Sequence, residues 1–422
     1  MRLSLMFVLG LVMGLVGSLG WALAEEIAAP PTARPDPGAH TSAQPVPLRA
    51  PGPAAAVGGA VRAPGEAPAD TCAEAPLAAR AQQVLVVGLP AVTDPDDPAV
   101  DAMLGAGVGG VFLSKANVAE ADQVRALVRA LRARQDAPLV VATDEEPGRV
   151  SSFGELLGRS PSARTLAARD GVPAMRAFAQ EMGSSLAAFG IDVNLAPVAD
   201  LDDGPSGGVI GDRSFSADPA TATSYSLAFA RGLADGGVAP TVKHFPGHGR
   251  STSDSHRELA LVEVGLDELV KTDLVPFAAH IEAGVPLVMT GHVAYGDIDP
   301  ERPASLSSAA YRLLRDMGFQ GVAITDSIGM GAVNLRWPFP EAAVLAIQAG
   351  ADAVLATDGN QTAVMRDALV AAVESGRLTE RRLDEAAARM LALAGADPSE
   401  LVCDADVDVP TRLLPAAAAD AG

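Results

Sequence analysis

A chain of 422 residues, 49% of them hydrophobic and with a formal net charge of −21, holds enough apolar material for one large core or two ordinary ones. The acidic balance and the lack of any clustered basic run exclude nucleic acid and an anionic membrane surface as partners, since both need a basic face. Residues 3–24 form an apolar run behind Arg2 and end in Ala22-Leu23-Ala24 before Glu25-Glu26. This reads as a secretory signal peptide over 1–24, cleaved after Ala24, which places the mature chain in a secreted or cell-wall space. The run is nearly long enough to span a bilayer, so an uncleaved anchor is the alternative. Gly10, Gly14, Gly17 and Gly20 and the small-residue ending favour cleavage, and no cysteine stands there to carry a lipid.

From 25 to 75 the composition turns to Pro, Ala and Gly, which cannot bury enough apolar surface to offset the entropy of ordering. A disordered linker is expected there, then one globular domain over 76–403 and a short acidic tail over 404–422. Within the domain, short runs of Val, Ile and Leu alternate with longer Ala-rich stretches of helical spacing. Eight strands are predicted, over 83–89, 110–113, 139–144, 191–196, 241–244, 287–290, 321–326 and 353–357. Helices are predicted over 119–134, 173–189, 219–233, 266–283, 307–317 and 339–349. An eightfold βα alternation fits a single closed (β/α)8 TIM-type barrel better than an open doubly wound sheet, the remaining alternative.

In such barrels the site is assembled from the carboxyl ends of the strands, and here most strands end in a polar group. Asp144 follows the third strand, Asp200 the fourth, Lys243 and His244 end the fifth, His292 follows the sixth and Asp326 ends the seventh. A purely structural role would favour apolar residues at these positions, because an unpaired buried charge is costly.

Residues 243–256 read KHFPGHGRSTSDSH, and five of the six histidines of the chain lie between His244 and His292. Gly247 and Gly249 permit a sharply bent backbone, and the Ser, Thr and Asp content favours an irregular loop over a helix. In Asp254-Ser255-His256 the i, i+2 spacing lets the carboxylate orient one imidazole nitrogen and leave the other to exchange protons. By itself that tripeptide is weak.

KHFPGHG followed by TSDSH resembles the β-N-acetylglucosaminidase (NagZ-like) branch of glycoside hydrolase family 3. VVATDEEPGRV at 140–150, IDVNLAPVADLD at 191–202, IGDRSFSADP at 210–219 and GVAITDSIGM at 321–330 are similar to further segments of that family, in family order. The resemblance implies that Asp326 is the catalytic nucleophile, His256 the acid/base and Asp254 its orienting partner. It implies too that Asp144, Arg213, Lys243 and His244 bind the hydroxyls of the terminal sugar. The expected activity is retaining hydrolysis of terminal β-linked N-acetylglucosamine from peptidoglycan-type or chitin-type fragments, with phosphate as an open alternative to water. A carbohydrate is the expected partner, a monomer the expected state, and neither cofactor nor metal is required. Because the chain stops soon after the eighth βα unit, the acid/base is expected from the barrel itself.

Three residues depart from the family pattern. Pro147 replaces a glycine and stiffens the turn beyond Asp144, Ser327 replaces a second aspartate beside Asp326, and Arg250 either contacts an anionic group of the substrate or faces water. Cys72 and Cys403 flank the domain and are expected to form one disulfide in an oxidising space, two free thiols being the alternative. Two other functions compete. One is a metal-dependent hydrolase using His244, His248, Asp254, His256 and His292, whose residue types suit zinc. The other is a non-catalytic wall-glycan-binding barrel.

Overall fold

The computed structural model describes residues 74–403, apart from 136, 252–254 and 256, together with 407, 409 and 410. The expected signal over 1–24, nearly all of the linker and most of the tail lie outside the described residues. So do Asp254, His256 and Cys72. None of the described helices is long and apolar enough to cross a membrane.

The described strands are β1 (Leu85–Gly88), β2 (Gly110–Leu113), β3 (Val140–Thr143), β4 (Val193–Asn194), β5 (Ala239–Phe245), β6 (Ala260–Val262), β7 (Leu287–Thr290), β8 (Val293–Tyr295), β9 (Val322–Thr325) and β10 (Val354–Ala356). Eight of them form one parallel sheet in the order β10-β1-β2-β3-β4-β5-β7-β9. A parallel bridge between Ile324 and Ala353, with Thr325 N donating to Ala353 O at 3.1 Å, brings β9 back to β10 and nearly closes the barrel. The fold is the (β/α)8 barrel that the alternation predicts.

The period of two along each strand sorts its side chains into two apolar layers. Val86, Val140, Ala142, Val193, Leu195, Leu287, Met289, Val322, Ile324 and Leu355 cluster together inside the barrel. Their neighbours Leu85, Val87, Val111, Val141, Val288, Ala323 and Val354 belong to the second cluster, packed against the helices. Both faces of the eight barrel strands are thus largely buried, which explains the continuous apolar runs of the sequence.

Local chemistry moves some boundaries. Residue 83, predicted as strand, ends a helix over Leu77–Gln83 whose Arg80 pairs with Asp384 and Glu380, each at 2.6 Å. The helix predicted over 266–283 is two helices, Leu266–Lys271 and Leu274–Glu282. The chain breaks at Thr272, where Asp273 turns its carboxylate inward to accept from Arg250 at 2.7 Å. The pair β6 and β8 was not predicted, because three-residue strands carry too little periodicity to be read.

Candidate active site

The alternation that fills the barrel also builds the site. Two residues beyond Ala142 on β3 the next inward position is Asp144, and two beyond Ile324 on β9 it is Asp326. Inward residues Phe112, Asp144, Leu195, Lys243, Met289, Asp326 and Thr357 all line one cavity of about 440 Å³ at the carboxyl ends of the strands. His244 lines it too, although it follows Lys243 directly. A register shift of β5 against β7 between Lys243 and Phe245 re-aims the strand there.

Three charged side chains, Asp144, Lys243 and Arg213, line one wall of the cavity, and Glu146 lies buried among them. Lys243 Nζ lies 2.8 Å from Asp144 Oδ1 and 2.7 Å from Glu146 Oε1, and its side chain is 1% exposed. Arg213 forks onto Glu146, with Nε donating to Oε2 at 2.8 Å and Nη2 to Oε1 at 2.7 Å. Burial would raise the Glu146 carboxyl, but Arg213 and Lys243 outweigh it and hold it far below the carboxylate range. Asp144 shifts the other way, raised by burial and by the charge of Glu146 against the pull of Lys243. Lys243, disfavoured by burial, is raised by both carboxylates and stays charged.

Behind this wall lies Asp200. Ala199 N donates to Lys243 O at 2.7 Å, which sets the strand-four loop beside β5. Asp200 Oδ2 is 2.7 Å from His244 Nδ1, and Oδ1 accepts from the backbone of His244 at 3.1 Å and of His248 at 2.7 Å. With Nδ1 so engaged, Nε2 of His244 faces the cavity side, 3.5 Å from Arg213 Nη2.

Asp326 stands apart from these pairs. Its Oδ1 accepts from Ser327 N at 2.7 Å. Burial opposes its ionisation, but the His292 and His244 imidazoles, that N–H and Lys243 prevail and hold its pKa at about 2. His292 is itself buried, with Nε2 donating to Ser327 O at 2.8 Å and Nδ1 2.7 Å from Ser305 Oγ. The site therefore combines an ionised carboxylate on one strand end with hydrogen-bonding groups opposite it, the equipment for stabilising a cationic sugar carbon.

Every sugar-binding candidate and the nucleophile candidate thus meet in one cavity, while Asp254 and His256 lie outside the described residues. Ser255, between them, is buried; its Oγ is 3.0 Å from His248 Nε2 and its carbonyl accepts from Ala332 N at 3.0 Å. Ser327 Oγ meets Thr357 Oγ1 at 3.0 Å, so a hydroxyl pair occupies the place of the expected second acid. Pro147 sits in a tight turn closed by Glu146 N to Val150 O at 2.8 Å, with Gly148 at φ 97°. Arg250 does not line the cavity and is exposed to water, the second of its two readings, while still held in place. It is committed to Asp273 at 2.7 Å and Thr272 Oγ1 at 2.8 Å.

Two contributions escaped the sequence reading. Glu146 was visible only as the second acid of a pair, and its i, i+2 spacing from Asp144 in a turn was the available signal. Arg149 and Arg164 gave none: Arg149 donates to the carbonyls of Ser206, Gly208, Val209 and Ile210, and Arg164 to those of Asp202, Gly204 and Gly211. Together they shape the loop that delivers Arg213. The described imidazoles of the zinc reading are engaged otherwise, His244 by Asp200, His248 by Ser255, His292 by Ser305 and Ser327. The acidic group among the described residues that comes close enough to hold a cation is Glu74, Glu380 and Asp384, at the surface and paired with Arg80.

Residues 78–393 match the Glycosyl hydrolase family 3 N terminal domain. This chain belongs to glycoside hydrolase family 3. Among family relatives, beta-hexosaminidase LpqI of Mycobacterium tuberculosis is 40% identical over 269 residues, 62% of this chain and 69% of that protein. A beta-hexosaminidase of Stenotrophomonas maltophilia is 39% identical over 256 residues, 59% of this chain and 76% of that protein. A solved family 3 glycosyl hydrolase of Mycobacterium smegmatis superposes with a TM-score of 0.70 at 37% identity, covering 76% of this chain and 98% of that one. A family 3 β-N-acetylglucosaminidase of a Paenibacillus species gives a TM-score of 0.73 at 33% identity, covering 82% and 66%. The family 3 chain is accordingly a glycoside hydrolase, and its cavity at the strand ends lies where the barrel places its chemistry.

Proposed function

We propose that this glycoside hydrolase is an exported, retaining β-N-acetylglucosaminidase that removes terminal β-linked N-acetylglucosamine from cell-wall-type glycan fragments. The relatives named beta-hexosaminidase and the solved β-N-acetylglucosaminidase support the sugar. The leader-like residues 1–24 support export. The observation that carries the mechanism is the ionised Asp326 carboxylate in a cavity whose polar groups include Asp144, Arg213, Lys243 and His244, which suit a sugar's hydroxyls.

Asp326 attacks the anomeric carbon while His256, oriented by Asp254, protonates the departing oxygen. The glycosyl ester on Asp326 is then opened by water, with His256 now the base, and two inversions return the β configuration. Asp144 suits a donor hydroxyl because Lys243 engages only its Oδ1. Arg213 and Lys243 offer protons to hydroxyl oxygens. Most retaining enzymes use a second carboxylic acid where this scheme uses an imidazole.

The deciding experiment is an assay of the purified protein on aryl β-N-acetylglucosaminide against aryl β-glucoside, with and without phosphate and EDTA. Preference for the first substrate, indifferent to chelator, is expected. Absence of turnover on both returns the glycan-binding reading, and loss with EDTA the metal-dependent one. A rate that rises with phosphate, with a sugar phosphate as product, makes the acceptor phosphate instead of water.

A further inference from the structure

We propose that Glu146 is a positioning residue that presents Lys243 and Arg213 to the terminal sugar and leaves Asp144 free to bind it. This rests on the sugar-binding reading of those residues given above. Glu146 and Asp144 are two positions apart on one turn, yet the geometry divides their work. The Glu146 side chain is 1% exposed and does not line the cavity. Both of its oxygens are used within the protein, Oε2 by Arg213 Nε and Oε1 by Arg213 Nη2 and Lys243 Nζ. Asp144 is 25% exposed, lines the cavity and engages Lys243 through Oδ1.

Charge explains why the second carboxylate is needed. Lys243 and Arg213 come from separate elements, β5 and the short turn Gly211–Arg213, and both turn their charged ends onto Glu146. Two buried like charges repel, and each would otherwise draw on Asp144 for compensation. Glu146 supplies the second negative charge, so the four groups balance as two cations and two anions. Its planar carboxylate also fixes the guanidinium fork, which sets the directions of the remaining Arg213 donors. The tight turn from 146 to 150 holds Glu146 in place, since Glu146 N donates to Val150 O at 2.8 Å.

The test compares the full-length wild type with Glu146→Gln and Glu146→Asp. Turnover of aryl β-N-acetylglucosaminide is followed across pH, and binding of N-acetylglucosamine itself by calorimetry. Glu146→Gln keeps the shape but not the charge, and KM and the sugar Kd are expected to rise roughly 10–100-fold, with kcat changed much less. The charged groups facing Asp144 are Glu145 and Glu146 on its own turn, Lys243 on β5 and Arg213. Removing the Glu146 charge lowers the Asp144 pKa, so the acid-side loss of sugar binding moves to lower pH. Glu146→Asp keeps the charge and is expected to hold the wild-type pH profile while KM stays raised, because the shorter side chain cannot span both cations.

A folded Glu146→Gln protein with wild-type KM, Kd and pH profile overturns the proposal, and so does a loss in kcat alone. Should Glu146→Gln fail to fold, Glu146→Gln combined with Arg213→Gln removes one charge of each sign. Recovery of folding by the double variant supports the charge balance, and its failure makes Glu146 a packing residue and ends the proposal. A wild type that neither binds nor cleaves the N-acetylglucosaminide instead removes the sugar reading itself.

Discussion

The carboxylate of Asp200 lies 2.7 Å from Nδ1 of His244, although 44 residues separate them and they come from different strand ends. The same carboxylate accepts the backbone N–H groups of His244 and His248, so one buried acid fixes both the ring and the start of the loop that follows. The Asp200 carboxyl is disfavoured by burial but is held below its usual range, chiefly by His244.

Asp200→Asn is therefore expected to be costly out of proportion to its size. An amide has a single acceptor oxygen and cannot replace a carboxylate whose two oxygens accept from three donors, and a buried donor left unsatisfied costs about 1–3 kcal/mol. Urea denaturation measures that loss. Among the molecules that fold, KM rises because His244 no longer has one orientation.

Arg149→Ala should act on binding from a distance. Arg149 donates to four carbonyls of the loop before Arg213 and also pairs with Asp212 at 2.6 Å. With those bonds gone the loop samples more positions, and the order that Arg213 brings to the sugar must be supplied at binding. KM is expected to rise about tenfold, as for the loss of ~1.4 kcal/mol, with kcat nearly unchanged. A fall in kcat at constant KM would contradict this.

The pH dependence of stability follows from Asp326. Its folded pKa, about 2, lies below its ordinary value of 3.8. A depressed acid contributes stability above the unfolded pKa, and that contribution is lost as pH falls through the folded one. Wild-type stability should therefore drop between about pH 4 and pH 2, and part of that drop should be missing in Asp326→Asn. The same substitution should lower turnover by several orders of magnitude without unfolding the protein, because no glycosyl ester can form. Proton NMR of the wild-type reaction should show the β-anomer of N-acetylglucosamine first, and the α-anomer would sink the retaining mechanism.

Cys403 is disulfide-bonded. The backbone near it already ties the ends of the domain, since Ala75 N donates to Leu401 O at 3.1 Å. A bridge to Cys72 would close nearly the whole domain into one loop, for which chain-entropy estimates give roughly 3–5 kcal/mol. Reduction should lower the Tm measurably, and mass spectrometry finding both thiols free in exported protein would remove the idea.

The barrel was legible because its physics is repetitive. Two strand predictions, 110–113 and 287–290, coincide with β2 and β7, and the helix over 339–349 is found over Phe339–Ala349. The candidate site was legible wherever a charge interrupted that repetition at a strand end, as at Asp144, Lys243 and Asp326, which line one cavity. What stayed hidden depends on pairing across the fold. Arg250 reads as a free cation until Asp273 is seen beneath it, and Glu146 as a surface acid until Arg213 and Lys243 are placed around it. The break at Thr272 was invisible for the same reason, because the residue that stops the helix does so through a partner 23 positions away.

The acid/base role proposed for His256 has the sharpest test, which is to make leaving-group assistance unnecessary. His256→Ala should slow the first step severely for a sugar leaving group and far less for dinitrophenol, whose anion departs unaided. The second step needs the same imidazole as a base. With the activated substrate the variant should therefore show a burst of dinitrophenol followed by slow turnover, as glycosyl ester accumulates on Asp326. Azide needs no deprotonation, so adding it should restore turnover and yield a β-glycosyl azide. Asp254→Asn should give a weaker form of the same pattern, since it loses orientation and charge support but keeps the ring. Ser255→Ala supplies a further control, because Ser255 Oγ meets His248 Nε2 at 3.0 Å from between the two residues. It should lower kcat modestly for both substrates without an azide effect, since the proton donor itself remains. If His256→Ala slows activated and natural substrates equally and azide does nothing, the residue only binds or shapes the loop, and the proton donor must come from elsewhere on the rim.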